Sequence, residues 1–389
     1  MLKKPRWIGT LTGALLLTAT LASGAVLAET VKIGFHAPLT GPAAVDGNSA
    51  LQGAKLAVAD ANAKGGINAK EVELVVYDDQ ASPKEAVPIA TKLIEKDQVV
   101  AAVSGSYSGA TRAAAGLFQA ARIPYISAYA VHPEITQAGD YVFRTATGGE
   151  QLGAAGAQLI GEKLGKKKVV LITLQNDFGQ SMAAGFKLVA ARYGIDIVNE
   201  YQYGIKDRQF GPIVSKVKAD QPEAIYASGY FFTAGPLISQ LRAGGVEAPV
   251  IGQEGYDSEK FMEIAGKAAE GVIITTSLDR DSDKAVTRDF IANFQKQAGF
   301  KADMVAASAY SALSVMITAM RQAGADAADR PAIRDAIAKG SFETPIGQLT
   351  FSEQREVRKD IQVQVVKDGD FHRHSVLPAA ELPSLAAQQ

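Results

Sequence analysis

The residues best placed to do chemistry are bunched in Ser104-Gly105-Ser106-Tyr107-Ser108-Gly109-Ala110-Thr111. This stretch follows an apolar, strand-like run and precedes an amphipathic one, so it reads as a strand-to-helix turn. At such a turn the first helical amides have no partner within the helix, and the helix dipole favours an anion. Ser108 adds a hydroxyl donor, and a carboxylate is the natural occupant. The other reading is that Ser108 merely caps the helix, a common duty of serine. Glu254, in Ile251-Gly252-Gln253-Glu254-Gly255-Tyr256, stands in a second turn after a short strand-like run. It would either meet a ligand ammonium or sit in solvent. Tyr230-Phe231-Phe232 follows the run Ala224-Ala227 and sets aromatic surface at a third strand end, where three rings in a row would suit a pocket wall.

Other chemistries do not fit these residues. A nucleophile elbow needs Ser at the centre of Gly-x-Ser-x-Gly, but Tyr107 lies between Gly105 and Gly109. A phosphate loop needs Gly-Lys-Ser/Thr, which is missing here. After the first strand the chain reads Thr40-Gly41-Pro42-Ala43, without the glycine spacing of a dinucleotide site. The sequence holds four histidines and no cysteine, and His372 and His374 read as surface residues, so neither a metal nor another cofactor is expected. Without cysteine, disulfides and thiol catalysis are excluded.

Positioning these turns requires a regular frame. Short apolar runs at Val31-Phe35, Val72-Tyr77, Val99-Val103, Val169-Thr173, Ala224-Ala227 and Val272-Thr276 read as buried parallel strands. Between them lie amphipathic stretches near Ser49-Ala63, Pro83-Glu95, Ala110-Ala121, Gly149-Leu164, Gln180-Tyr193, Phe210-Ala219, Thr233-Ala243 and Ala285-Gln297. Alternation of strand and helix predicts an α/β protein with parallel sheets covered on both faces. Ser82-Pro83-Lys84-Glu85 reads as a capping box with Pro at the first helical position, and Gly65-Gly66 and Gly194 as helix stops. The stretch from Gly347 to Val366 reads as β structure.

Lys3, Lys4 and Arg6 precede an apolar stretch from Ile8 to about Leu21, and small residues lead to Val26-Leu27-Ala28. That order is the pattern of a secretory signal peptide over 1–28, with cleavage expected after Ala28. No cysteine is available for a lipid anchor, which points to a soluble periplasmic protein. The rest of the 389-residue chain is too long for one simple core, and two domains are expected. The formal charge of -1 would move only to about -4 on losing the leader's three basic residues, and gives no reason to expect nucleic-acid binding.

Taken in order, Ile33-Gly34-Phe35-His36-Ala37-Pro38-Leu39-Thr40-Gly41-Pro42, Asp60-Ala61-Asn62-Ala63-Lys64-Gly65-Gly66-Ile67 and Tyr77-Asp78-Asp79 carry a family resemblance over essentially the whole mature chain. So do Pro133-Glu134-Ile135-Thr136 and Gly252-Gln253-Glu254-Gly255. The chain resembles the leucine/isoleucine/valine-binding protein family, type I periplasmic binding proteins that serve branched-chain amino-acid ABC transporters. The resemblance implies two doubly wound parallel-sheet lobes joined by three crossovers, near Thr147, Leu278 and Phe351, with the ligand in the cleft. One lobe would take 29–147 plus 279–349, the other 148–278 plus 350–389. By the same resemblance Ser108 receives the ligand carboxylate. Tyr129 and Val131 offer backbone groups to the ligand. Glu254 pairs with its ammonium beside Tyr230, and Phe178 closes from the second lobe.

Three positions depart from the family pattern. Val131 replaces a threonine, Phe178 replaces a tyrosine, and Asp46 stands where an aromatic ring often covers the side-chain pocket. The α-amino-acid head group is kept, while Asp46 would admit a more polar or basic side chain than leucine's. The resemblance implies a monomeric, non-enzymatic receptor that hands a small amino-acid-like solute to permease subunits at the inner membrane. Alternatives are a receptor for an amide or aromatic acid, a ligand-sensing adaptor for a membrane partner, and an exported hydrolase. No nucleophile, base and oxyanion trio supports the last.

Overall fold

A computed structural model describes residues 1–5, 30–324 and 328–385, so the expected cleavage after Ala28 lies outside the described residues. The first sheet contains β1 (Val31–Ala37), β2 (Val72–Asp78), β3 (Ala101–Ser104), β4 (Tyr125–Ser127) and β5 (Val142–Arg144). All are parallel, in the order β2-β1-β3-β4-β5. The second sheet opens with β6 (Lys168–Leu174), β7 (Asp196–Tyr203), β8 (Ala224–Ala227), β9 (Val250–Gln253) and β10 (Ile273–Thr276). A separate hairpin, β11 (Ser341–Thr344) and β12 (Gly347–Thr350), follows. The antiparallel pair β13 (Ile361–Lys367) and β14 (Asp370–Leu377) then completes the second sheet, in the order β14-β13-β10-β9-β8-β6-β7.

Twelve α-helices lie among the described residues: α1 (Ala44–Ala63), α2 (Pro83–Glu95), α3 (Ser108–Ala120), α4 (Glu134–Gln137), α5 (Gly149–Gln158), α6 (Asp177–Ala190), α7 (Gly211–Asp220), α8 (Phe231–Ala243), α9 (Glu259–Ala265), α10 (Ala285–Ala298), α11 (Met304–Gln322) and α12 (Arg330–Lys339). Although they follow β10 in the chain, α10 and α11 pack back on α1, and α11 also meets β3 and β4. The chain therefore passes between the two sheets three times. Core strands such as β3, β8 and β10 are buried at every residue, as expected where helices cover both faces of a sheet.

Strand order reverses between β1 and β3 in the first sheet and between β6 and β8 in the second. At such switch points the helices leave on opposite faces and a crevice opens beyond the strands' carboxyl ends. The turns singled out by sequence all lie there. Ser108 follows β3, Phe178 follows β6, Tyr230 follows β8 and Glu254 follows β9.

Several sequence-based boundaries shift. α1 begins five residues before Ser49, at Ala44. Gly47 lies inside this helix, where a Cβ would come 1.9 Å from the Pro38 carbonyl oxygen. Its role is to let the helix pass close to the exit of β1. α3 and α6 begin at Ser108 and Asp177 rather than Ala110 and Gln180. Asn176 caps α6 by accepting the Gly179 amide at 2.9 Å. The capping box at Ser82 does not form, because the Ser82 side chain makes no cap hydrogen bond; Pro83 does occupy the first turn. Gly194 ends its helix in the left-handed region at φ 64°.

Sequence patterning missed α11 entirely. Its apolar residues are spread around its circumference because most of it is buried between α1 and the first sheet, so amphipathic periodicity is weak. It is also the one helix among the described residues long and apolar enough to cross a membrane by length and composition.

Candidate functional site

Where the two crevices face each other, a gap is lined by Asp46, Tyr107, Ser108, Tyr129, Ala130, Phe178, Tyr230, Glu254, Gly255, Met304 and Val305. Six of the seven residues expected from sequence are among them. Val131 is not. It lies just behind, with its N–H donating to Ser108 Oγ at 3.2 Å and its carbonyl accepting the Gly149 amide at 2.9 Å. The N–H of Val131 is thus engaged within the protein, while its carbonyl keeps a second lone pair.

Ser108 is the first residue of α3, and no side chain caps this helix. The expectation that Ser108 could be the cap is overturned for that reason. The Thr111 amide is satisfied by the Tyr107 carbonyl at 3.0 Å, and the amides before it precede the first intrahelical bond of α3, beside the Ser108 hydroxyl. Below this turn, His36 bonds Asp79 and the Tyr125 hydroxyl, each at 2.6 Å, and Ser106 donates to Asp79 at 2.9 Å. This buried network locks the ends of β1 and β3, and hence Ser108, into place.

Aromatic rings fill most of the gap. Tyr107 and Tyr230 stack in parallel with centroids 3.9 Å apart, Phe178 stacks on Tyr230 at 4.8 Å, and Tyr129 meets Tyr107 edge-on at 6.4 Å. Tyr107 donates its hydroxyl to Asp46 at 2.6 Å, Tyr129 donates to the Gly105 carbonyl at 2.6 Å, and Asn176 Nδ2 donates to the Tyr230 hydroxyl at 3.3 Å. Of Tyr230-Phe231-Phe232 only Tyr230 faces the gap, since the other two rings pack into the core. The free space that remains is about 20 Å³. A water needs roughly 10–15 Å³ by the same measure, so the walls must part to admit an amino acid.

Glu254 is buried at 2% exposure in a tight turn after β9. One carboxylate oxygen accepts from Ser277 at 3.3 Å and the other has no hydrogen-bond partner. Burial pushes this carboxyl above the usual carboxylate range, while the charge of Lys359 and the Ser277 hydroxyl act in the opposite direction. Lys359, on the crossover before β13, is itself buried with its ammonium unpartnered, and burial pulls it down. Sequence reading missed Lys359, because nothing in Glu356-Val357-Arg358-Lys359 marks one cation as buried. On the other wall Asp46 is buried in the first turn of α1, and desolvation raises its carboxyl to about 8.

Tyr107, Met304 and Val305 were missed as gap residues. Tyr107 adjoins Ser108, so its place at the same strand end was a usable signal. Met304 and Val305 follow Asp303, which caps α11 by accepting the Ala306 amide at 2.8 Å. An Asp before an apolar run is a readable helix start.

A family model described as periplasmic binding protein matches residues 30–370. A leucine-, isoleucine-, valine-, threonine- and alanine-binding protein of Pseudomonas aeruginosa is 30% identical over 344 residues, covering 87% of this chain and 90% of that one. Among solved structures, the branched-chain amino acid transporter substrate binding protein LivJ from Streptococcus pneumoniae, in complex with isoleucine, matches with a TM-score of 0.84 at 28% identity, covering 90% of this chain and 100% of that one. A solute binding protein of an ABC transporter from Rhodopseudomonas palustris BisB5, in complex with 3,4-dihydroxybenzoic acid, matches with a TM-score of 0.83 at 25% identity, covering 91% of this chain and 99% of that one.

Proposed function

The chain belongs to the periplasmic binding protein family, and from that premise we propose that it captures an α-amino acid in the gap between its two sheets for delivery to an ABC transporter. The observation that carries this reading is the opposition of charges across the gap. The first wall offers the α3 amides and the Ser108 hydroxyl, which suit a carboxylate. The second offers Glu254, whose free oxygen suits an ammonium. Such a zwitterion would touch both walls at once and stabilise their approach by its differential affinity for the closed arrangement.

On this reading the lobes are 29–147 with 279–349, and 148–278 with 350–389. The return of α10 and α11 to α1, and of β13 and β14 to β10, supports that division. The mature protein begins after Ala28, works as a soluble periplasmic monomer and meets permease subunits at the inner membrane. It binds its solute without transforming it. The test is titration calorimetry of wild type and Glu254→Ala against a panel of amino acids. A submillimolar amino-acid ligand lost in the variant supports the reading, and unchanged affinity removes Glu254 from the site.

The four aromatic rings favour a second reading, an aromatic acid. Glu254 opposes it, because a ligand with no cation would leave that buried acid, backed by Lys359, without an ammonium partner. A thermal-shift screen separates the two, since any ligand that binds the folded protein raises its apparent stability.

A further inference from the structure

The two acids of the gap are unlike in one respect. Glu254 feels the positive charges of Lys359 and Arg144 from behind. The charged neighbours that act on Asp46 are Asp303 and Asp257, both acidic. Arg280, a cation that acts on Asp303, is already held by both oxygens of Asp257, and Asp303 takes the Ser49 hydroxyl at 2.6 Å. None of the eleven residues lining the gap is basic. Asp46 is therefore a buried acid among acids, open to the gap, satisfied on one oxygen by the Tyr107 hydroxyl and balanced by no protein cation. A buried acid in such a place stays neutral unless a positive charge arrives.

Tyr107, which holds Asp46, lays its ring parallel to Tyr230 of the opposite wall. When the walls part, two tyrosine faces open beside Asp46, and an aromatic cage closed by a carboxylate is a cation site. We infer that the gap selects an α-amino acid with a cationic side chain, of the lysine, ornithine or arginine class, whose side-chain cation lies between the Tyr107 and Tyr230 rings against Asp46. This rests on the amino-acid reading above and sharpens it. The head group uses Ser108, the α3 amides and Glu254; the second cation uses Asp46.

Asp46 holds a proton up to about pH 8. The arriving cation converts it to a carboxylate and the proton leaves to solvent. Affinity for a basic amino acid therefore rises with pH towards 8 and levels above it. The groups facing Asp46 are Tyr107, Tyr129, Tyr230, Asp303 and Asp257, and Glu254 completes the gap. Glu254 contributes a pH slope shared by every amino acid, so the Asp46 slope is the excess for basic over neutral ligands.

The experiment is calorimetric titration of the full mature chain with L-arginine, L-lysine, L-leucine and 3,4-dihydroxybenzoate, repeated in buffers of different ionisation enthalpy. Wild type is expected to bind one of the basic amino acids at least about tenfold tighter than leucine, with more proton release than leucine causes. Asp46→Asn, which retains an acceptor for Tyr107, is expected to erase that preference and the extra proton. Leucine binding as tightly as arginine and lysine to wild type, or basic ligands binding without extra proton release, overturns the inference while leaving the amino-acid reading standing. The proton count is read on wild type, so it decides the matter even if the variant does not fold. Binding of the benzoate with no binding of any amino acid overturns both.

Discussion

The wall of the gap built on the first sheet presents donors, whereas the wall built on the second presents an acceptor. On the first, α3 begins at Ser108, and His36, Asp79, Ser106 and Tyr125 lock the turn from beneath. On the second, Glu254 stands in a single tight turn with one oxygen unpaired and a buried lysine behind it. On the proposed reading the first wall is an anion cradle, its turn held from beneath by the His36–Asp79 network. The second holds a carboxylate whose burial is compensated only in part, and a ligand ammonium would complete it.

The comparison breaks most sharply at Glu254. Glu254→Ala removes the acceptor and leaves a desolvated ammonium alone, so amino-acid affinity should fall by a few kcal/mol, about a hundredfold or more, in a calorimetric titration. Next comes Asp46, whose effect is on stability without ligand. Its folded pKa of about 8 lies above the ordinary 3.8, so the folded state holds a proton that the unfolded chain releases. The stability this gives is complete below about pH 4 and lost as pH rises through 8. Asp46→Asn should flatten that decline and raise stability at pH 8 by on the order of a few kcal/mol, read from denaturant melts at several pH values. An unchanged pH profile would remove Asp46 from the list of protonated groups.

Ser108→Ala takes one hydroxyl donor from a cradle that keeps its amides. A loss of about 1–2 kcal/mol in amino-acid affinity is expected, together with a stability loss of about 1–3 kcal/mol, because the buried Val131 amide loses Ser108 Oγ as its acceptor. If Ser108→Ala weakens binding more than Glu254→Ala, the roles of the walls are reversed. The smallest effect is expected for Phe178→Tyr, which keeps the ring against Tyr230 and adds only a hydroxyl. Affinity should change by less than about 1 kcal/mol in the same titration.

The alternation of apolar runs and amphipathic stretches was enough to find the parallel sheets, because buried parallel strands and surface helices have distinct periods. It did not find α11, whose burial removes the period on which detection depends. Ser108 and Glu254 were legible because each stands in a glycine-bearing turn after a strand, a place dictated by local chemistry. That Val131 lies behind the gap was not legible, because its place depends on bonds to Ser108 Oγ and to the amide that opens α5, contacts between residues 23 and 18 positions apart. Lys359 was invisible because its burial depends on a crossover meeting Glu254, 105 positions earlier in the chain, and no local pattern records that.

The most direct test of the two-walled clamp leaves the protein untouched and cuts the ligand. Wild-type protein would be titrated by calorimetry with its tightest amino-acid ligand, with the amide of that amino acid, and with the analogue lacking the α-amino group. Loss of at least about tenfold in affinity for both truncated compounds is predicted, because each leaves one wall without its partner. An analogue without the amino group that binds as tightly as the parent would contradict the account.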